Sequence, residues 1–171
     1  MTWTNYHTHC YLCDGQGELE AYVAEARQQG LYALGFSSHA PLPFENDWTL
    51  SAEGLQTYVA KINQLKMECA ETLPIYLSLE IDYIPGETSP TIPRFQSIGL
   101  DYTLGAVHFA GKDDQGEYWS IDHTAEVFVA GLKAIYDNNI QAAVGTYYQI
   151  VRDMIKNHCP DVVAHLDLIK K

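Results

Sequence analysis

Polar and apolar residues alternate from the start of the chain. Residues 4–10, TNYHTHC, read as a β-prone stretch that stops at the turn cluster Asp14, Gly15, Gln16 and Gly17. Leu19, Tyr22, Val23 and Ala26 then recur at helical spacing as far as Gly30, which predicts a helix with a glycine just past its end. Residues 31–40, LYALGFSSHA, read as a second strand. After PLPFENDWT, Ser51 is a good N-cap, and Leu55, Val59, Ile62, Leu65 and Cys69 place one face of a long helix ahead of Pro74. Residues 75–84, IYLSLEIDYI, predict a third strand with Leu77, Leu79 and Ile81 on one face and Tyr76, Ser78, Glu80 and Asp82 on the other. Pro85, Pro90 and Pro93 make most of the next segment loop, and DYTLGAVHF follows as a fourth strand. Turn chemistry at residues 113–116 predicts a hairpin. Two helical patterns come next, one carrying Val127, Phe128, Leu132 and Ile135, the other Tyr147, Ile150, Val151, Met154 and Ile155. DVVAHLDLIKK closes the chain as a fifth strand. Strands alternating with helices imply an α/β fold with a mainly parallel sheet, and no linker or repeat divides it, so one domain over 1–171 is expected.

In such folds chemistry collects at the C-terminal ends of the strands. His7 and His9 stand two apart on the first strand, so both rings leave the same face; alone, the pair is equally compatible with an exposed polar strand. Glu80 faces away from the apolar side of its strand, where an ionised carboxylate is costly unless a cation holds it, although an ordinary salt bridge would serve on that strand alone. Strand two ends at His39, strand four at His108 and strand five at His165, with Asp14 in the first loop. Each histidine singly could be a core residue satisfied by backbone; together they are a candidate ligand set. Imidazoles with carboxylates suit zinc, manganese or iron rather than calcium or magnesium. Seven candidates exceed the needs of one ion, so two or three ions sharing a carboxylate are expected. Such a cluster acidifies water and clamps phosphoryl oxygens, which points to phosphate-ester hydrolysis.

Charge narrows the partners. With 22 acidic against 10 basic residues the net charge is −12, which disfavours generic nucleic-acid binding and obliges an anionic substrate to find local positive charge. No stretch predicts a membrane span and the first residues carry no signal-peptide pattern, so a cytoplasmic location is expected. Four cysteines are too sparse for a disulfide framework, and the Cys10-x-x-Cys13 pair lacks the following helix start of a thioredoxin-type motif. Ser37, Ser38 and His39 are not embedded in a GxSxG pattern, which argues against a serine nucleophile. Lys170 and Lys171 are weak candidates for touching phosphate, a solvated terminus being the plainer reading.

The segments NYHTHC followed by CDG, GFSSHAP, LEIDYIPG, DYTLGAVHF and AHLDLIKK resemble, in order, the motifs of the PHP (polymerase and histidinol phosphatase) family, from Thr4 to Lys171. The resemblance is greatest to the histidinol-phosphatase branch, which hydrolyses L-histidinol phosphate to L-histidinol and phosphate in histidine biosynthesis. It implies a distorted seven-stranded βα barrel with a trinuclear metal site and attack by a metal-bridging hydroxide, with no other catalytic group assigned. It also implies that His7 and His9 hold the first ion, that Glu80 bridges to a second completed by His108 and His165, and that Asp14 and His39 hold the third. The chain stops after about the first five βα units, where the pattern leads one to expect two more strands bearing an aspartate and a histidine. A truncated domain is therefore expected, with self-association through the open sheet. The rival readings are another phosphoesterase of the same family, an amidohydrolase, disfavoured because the acid lies on strand three and not four, and a metal-binding fragment without turnover.

Overall fold

The computed structural model describes residues 3–170. Five parallel strands form a curled half-barrel sheet in the order β1 (Trp3–Asn5), β2 (Leu31–Phe36), β3 (Ile75–Asp82), β4 (Tyr102–Ala106), β7 (Val162–Val163). Between β4 and β7 the chain makes an antiparallel hairpin of β5 (Phe109–Lys112) and β6 (Tyr118–Ser120). The helices are α1 (Leu19–Gln28), α2 (Ala52–Cys69), the short α3 (Pro93–Gln96), α4 (Ala125–Tyr136) and α5 (Ile140–Asn157).

Local chemistry accounts for the element boundaries. Gly30, just beyond α1, adopts φ 69°, a left-handed conformation that costs glycine little. Ser51 caps α2, its hydroxyl accepting a hydrogen bond from the Gly54 N–H at 2.9 Å. On α2 the buried positions are Tyr58, Ile62, Leu65 and Cys69, one helical stripe against the sheet. Burying Ile62 or Leu65 there is worth about 1.5–3 kcal/mol each. The expected stripe through Leu55 and Val59 is rotated slightly, so those two are half-buried while Tyr58 is fully buried. The Tyr58 hydroxyl explains the shift, donating to the Ser78 carbonyl at 2.8 Å and accepting from the Ser38 N–H at 3.1 Å. A second core joins α5 to the hairpin through Trp119, Ala143, Tyr147, Val151 and Met154.

Three expectations need correction. The first strand is shorter than residues 4–10, because the Asn5 side chain accepts the His7 N–H at 2.9 Å and turns the backbone out of the ladder; His7 and His9 lie in the loop beyond it. The predicted fifth strand is two residues long, and the chain turns at His165, with φ 21°, into a 3-10 helix at Leu168–Lys170. One helical turn, α3, sits inside the proline-rich loop, its Pro93 at a position where a missing N–H costs nothing.

Candidate metal centre

At the C-terminal end of the sheet β3 places Glu80 at the focus of five imidazoles. The carboxylate is only 1% exposed. Its Oε2 lies 2.7 Å from His7 Nε2, 3.0 Å from His9 Nε2 and 3.8 Å from His39 Nδ1. Its Oε1 lies 2.6 Å from His165 Nε2 and 3.5 Å from His108 Nε2. Asp14 completes the group, with one oxygen 2.7 Å from His9 Nδ1 and the other 3.5 Å from His39 Nε2. All seven residues singled out from the sequence thus stand together, although they arrive from five separate segments: the loop after β1, the ends of β2, β4 and β7, and β3 itself.

The backbone explains the convergence. Thr8 and Ser37 join the loop after β1 to the end of β2 through a backbone hydrogen bond of 2.9 Å. The Ala40 N–H donates to the Glu80 carbonyl, so His39 is held as a bridge alongside Glu80. The β3–β4 register sets Asp82 beside Ala106, and two residues later His108 Nδ1 reaches Asp82 Oδ1 at 2.7 Å. Gly15 folds back so tightly that a Cβ there would stand 2.5 Å from the His9 carbonyl carbon, which is what brings Asp14 over the site.

Electrostatics follow from the packing. Burial opposes ionisation of Glu80, yet the hydrogen bonds of His165, His7 and His9 and the charge of His39 hold its carboxyl far below the usual range. Asp14 is held low in the same way by His39 and His9. Burial likewise opposes the charged form of His108, but Asp82, then Glu80 and Asp122, raise it to about 9. His9 is raised further, against burial, by Asp14, Cys13 and Glu80. A buried cluster of acids and imidazoles with this appetite for positive charge fits a metal centre. Donor sets compact enough for one ion are His7 with Glu80 and His165, His9 with His39 and Glu80, His9 with Cys13 and Asp14, and His39 with Asp82 and His108. His39 Nδ1, buried beside Glu80, has no hydrogen-bond partner, as expected of an atom positioned for something other than protein.

A cavity of about 200 Å³ opens against the cluster, lined by Asp14, His39, Asp47, Trp48, His108 and Asp122 among others. Trp48 stands edge-on to His39, ring centroids 4.7 Å apart. Sequence reading missed four contributors: Cys13, Asp47, Trp48 and the His108-orienting role of Asp82. Asp82 was visible, since it shares a face with Glu80 at period two; the loop residue Trp48 carried no local signal. Lys170 is exposed and lies 3.4 Å from Asp167, while Lys171 falls outside the described residues.

A profile of the PHP domain matches residues 5–171. Over 168 residues the chain is 30% identical to a Deinococcus radiodurans protein named "Probable histidinol-phosphatase", the match covering 96% of this chain and 60% of that one. A Schizosaccharomyces pombe protein of the same name is 26% identical over 173 residues, covering 95% and 54% respectively. The chain therefore spans little more than half the length of these curated relatives. Among solved structures, a Listeria monocytogenes protein assigned to the histidinol phosphatases superposes with a TM-score of 0.79 at 21% identity, over 97% of this chain and 67% of that one. The histidinol phosphate phosphatase of Lactococcus lactis, crystallised with zinc, L-histidinol and phosphate, superposes with a TM-score of 0.61, also at 21% identity, over 98% and 59%. Both likenesses speak to the fold.

Proposed function

The chain belongs to the PHP domain family, and from that premise we propose that it is a metal-dependent phosphomonoester hydrolase acting on L-histidinol phosphate. The observation that carries this is Glu80, buried and ionised where His7, His9, His39, His108 and His165 meet. The curated relatives support the choice of substrate.

In this reading His7, His9, Asp14, His39, Glu80, His108 and His165 hold two or three divalent ions, zinc, manganese or iron. Ions in that position supply acidified water and positive charge against phosphoryl oxygens. The protein's own part is orientation. Asp82 accepts from His108 Nδ1 and so keeps Nε2 turned to Glu80. The cavity beside Asp14 and His39 gives the substrate a bounded place, with Trp48 as its aromatic wall. Among the described residues lining that cavity there is no lysine or arginine, and the chain carries a charge of −12, so attraction for a phosphate has to come from what the imidazoles and carboxylates bind.

The test is phosphate release from L-histidinol phosphate, against other phosphomonoesters, by protein loaded with zinc or manganese. Release is expected to need the metal, to favour histidinol phosphate, and to be lost in Glu80→Gln together with most of the bound metal. Release that survives chelation or the Glu80→Gln change would overturn the proposal. Tightly bound metal with no release from any phosphomonoester would refute the hydrolase and leave a binding chain.

A further inference from the structure

The cavity beside the cluster is lined by three carboxylates of two kinds. Asp14 belongs to a donor set compact enough for one ion, whereas Asp47 and Asp122 belong to none among the described residues. Neither of these two is in an ion pair with a lysine, arginine or histidine there. They come from distant segments, Asp47 from the loop ahead of α2 and Asp122 from the turn after β6. Backbone hydrogen bonds bring both up to the cluster. The Leu50 N–H donates to the His39 carbonyl at 3.1 Å, and Asn46 Oδ1 accepts from the Trp48 N–H at 3.2 Å and the Thr49 N–H at 2.9 Å, which folds the loop around Asp47. The Ile121 N–H donates to the His108 carbonyl at 3.0 Å, and the Ser120 hydroxyl donates to Asp122 Oδ1 at 3.1 Å, leaving Oδ2 without a partner among the described residues.

The rest of the lining says what these carboxylates face. Asp14, His39 and His108 belong to the metal cluster, and His39, 6% exposed, leaves Nδ1 unpartnered beside Glu80, so the cavity opens onto the place where ions would meet a phosphoryl group. Trp48 adds an aromatic ring between that cluster and solvent. An indole ring together with carboxylates attracts an organic cation, by its π electrons and by charge. Two acids that hold no metal would by themselves repel a phosphate. Their position is productive where the phosphoryl end is attached to a positive one. L-Histidinol phosphate is such a molecule, an amino-alcohol ester whose amine is largely protonated at neutral pH.

Resting on the phosphatase reading above, we propose that Asp47 and Asp122, with Trp48, bind the protonated amine of the substrate and so select phosphomonoesters that carry an ammonium group. The substrate is then oriented by charge, its phosphate towards the imidazole and carboxylate cluster and its amine towards the two acids. A phosphomonoester with no cationic end meets the same acids as repulsion, so the pair favours one class and rejects the other.

Two measurements on zinc-loaded protein test this. Titration calorimetry compares L-histidinol with imidazolepropanol, the same alcohol without its amine. The wild type is expected to bind L-histidinol about tenfold more tightly, and the double variant Asp47→Asn, Asp122→Asn to bind the two within about twofold of each other. Asp47→Asn by itself, a change at an exposed position, keeps the test open should the double variant fold poorly, and should lose part of the preference. Phosphate release compares L-histidinol phosphate with phenyl phosphate. The ratio of their kcat/KM values is expected to fall about tenfold in the double variant, chiefly through KM for L-histidinol phosphate, whereas a merely structural change would lower both and keep the ratio. Equal binding of the two alcohols by the wild type, or an amine preference that survives in the variants, would overturn the role of the acids; the phosphatase reading would stand if phosphate is still released. Amine-dependent binding that the variants lose, with no release from any phosphomonoester, would support the amine site and refute the hydrolase.

Discussion

Glu80 illustrates how a single side chain acquires its chemistry from position. A carboxylate this deeply buried stays ionised only because imidazoles meet both of its oxygens. The same logic gives His108 a pH signature. Its raised value, about 9 against an ordinary 6.5, means that the folded, metal-free protein keeps a proton the unfolded chain gives up. Its contribution to stability is therefore complete below about pH 6.5 and is lost as pH rises through about 9. His9, also raised, acts in the same direction. The urea midpoint of metal-free protein is expected to fall steadily between those pH values. In Asp82→Asn the largest attraction on His108 is gone, and the fall should be shallower, with the His108 titration moved towards neutrality when followed by NMR. An equally steep fall in Asp82→Asn would show that Asp82 does not hold that proton.

Among the elements, α2 and α4 depend on single small residues. Ser51→Ala removes the hydroxyl that accepts the Gly54 N–H, and about 1 kcal/mol of stability should go with it. For a chain of this size that is a fall of about 2–4 °C in Tm, read by calorimetry. Gly131 sets two effects against each other. Alanine is favoured over glycine in a helix by about 1 kcal/mol, but a Cβ at Gly131 would stand 2.0 Å from Trp119 Cδ1. Trp119 is itself buried against α4 and α5, with Phe128 and Tyr136 beside its ring, so it has little room to retreat. Overpacking of this kind costs about 1–3 kcal/mol, and Gly131→Ala should be destabilised by denaturant unfolding. A more stable variant would mean that Trp119 yields.

At the scale of the molecule the sheet is curled without closing. Among the described residues β1 pairs only with β2, and β7 only with β4. Trp3 and Val162 on these outer strands are exposed. An unpaired edge is a template for another chain, and a second copy of this one is the simplest partner. Light scattering is expected to give a mass that rises above 19.2 kDa with concentration. A constant 19.2 kDa would show that edges of three and two residues are short enough to be harmless. No helix among the described residues is long and apolar enough to cross a membrane.

The identity of the elements was legible in the sequence because periodicity, caps and turns act over a few residues. Ser51, Gly30 and the turn at residues 113–116 mark their boundaries by local hydrogen bonding and backbone freedom. The candidate site was legible as composition at strand ends, His7, His9, His39, Glu80, His108 and His165, since parallel strands deliver their ends to one side. Where those ends meet was settled by contacts between distant parts of the chain. His7 lies 73 residues from Glu80 and His165 lies 85, and neither distance follows from local pattern. The ladder of β1 gives way at Asn5, and the last strand shrinks to two residues, because side-chain hydrogen bonds and a turn at His165 compete successfully with short edge pairings. Tyr58, Trp48 and Cys13 gained their places in the same way. Each is an ordinary residue by its neighbours in sequence, and only the curl of the sheet and the fold of the loops over its end set what each one touches.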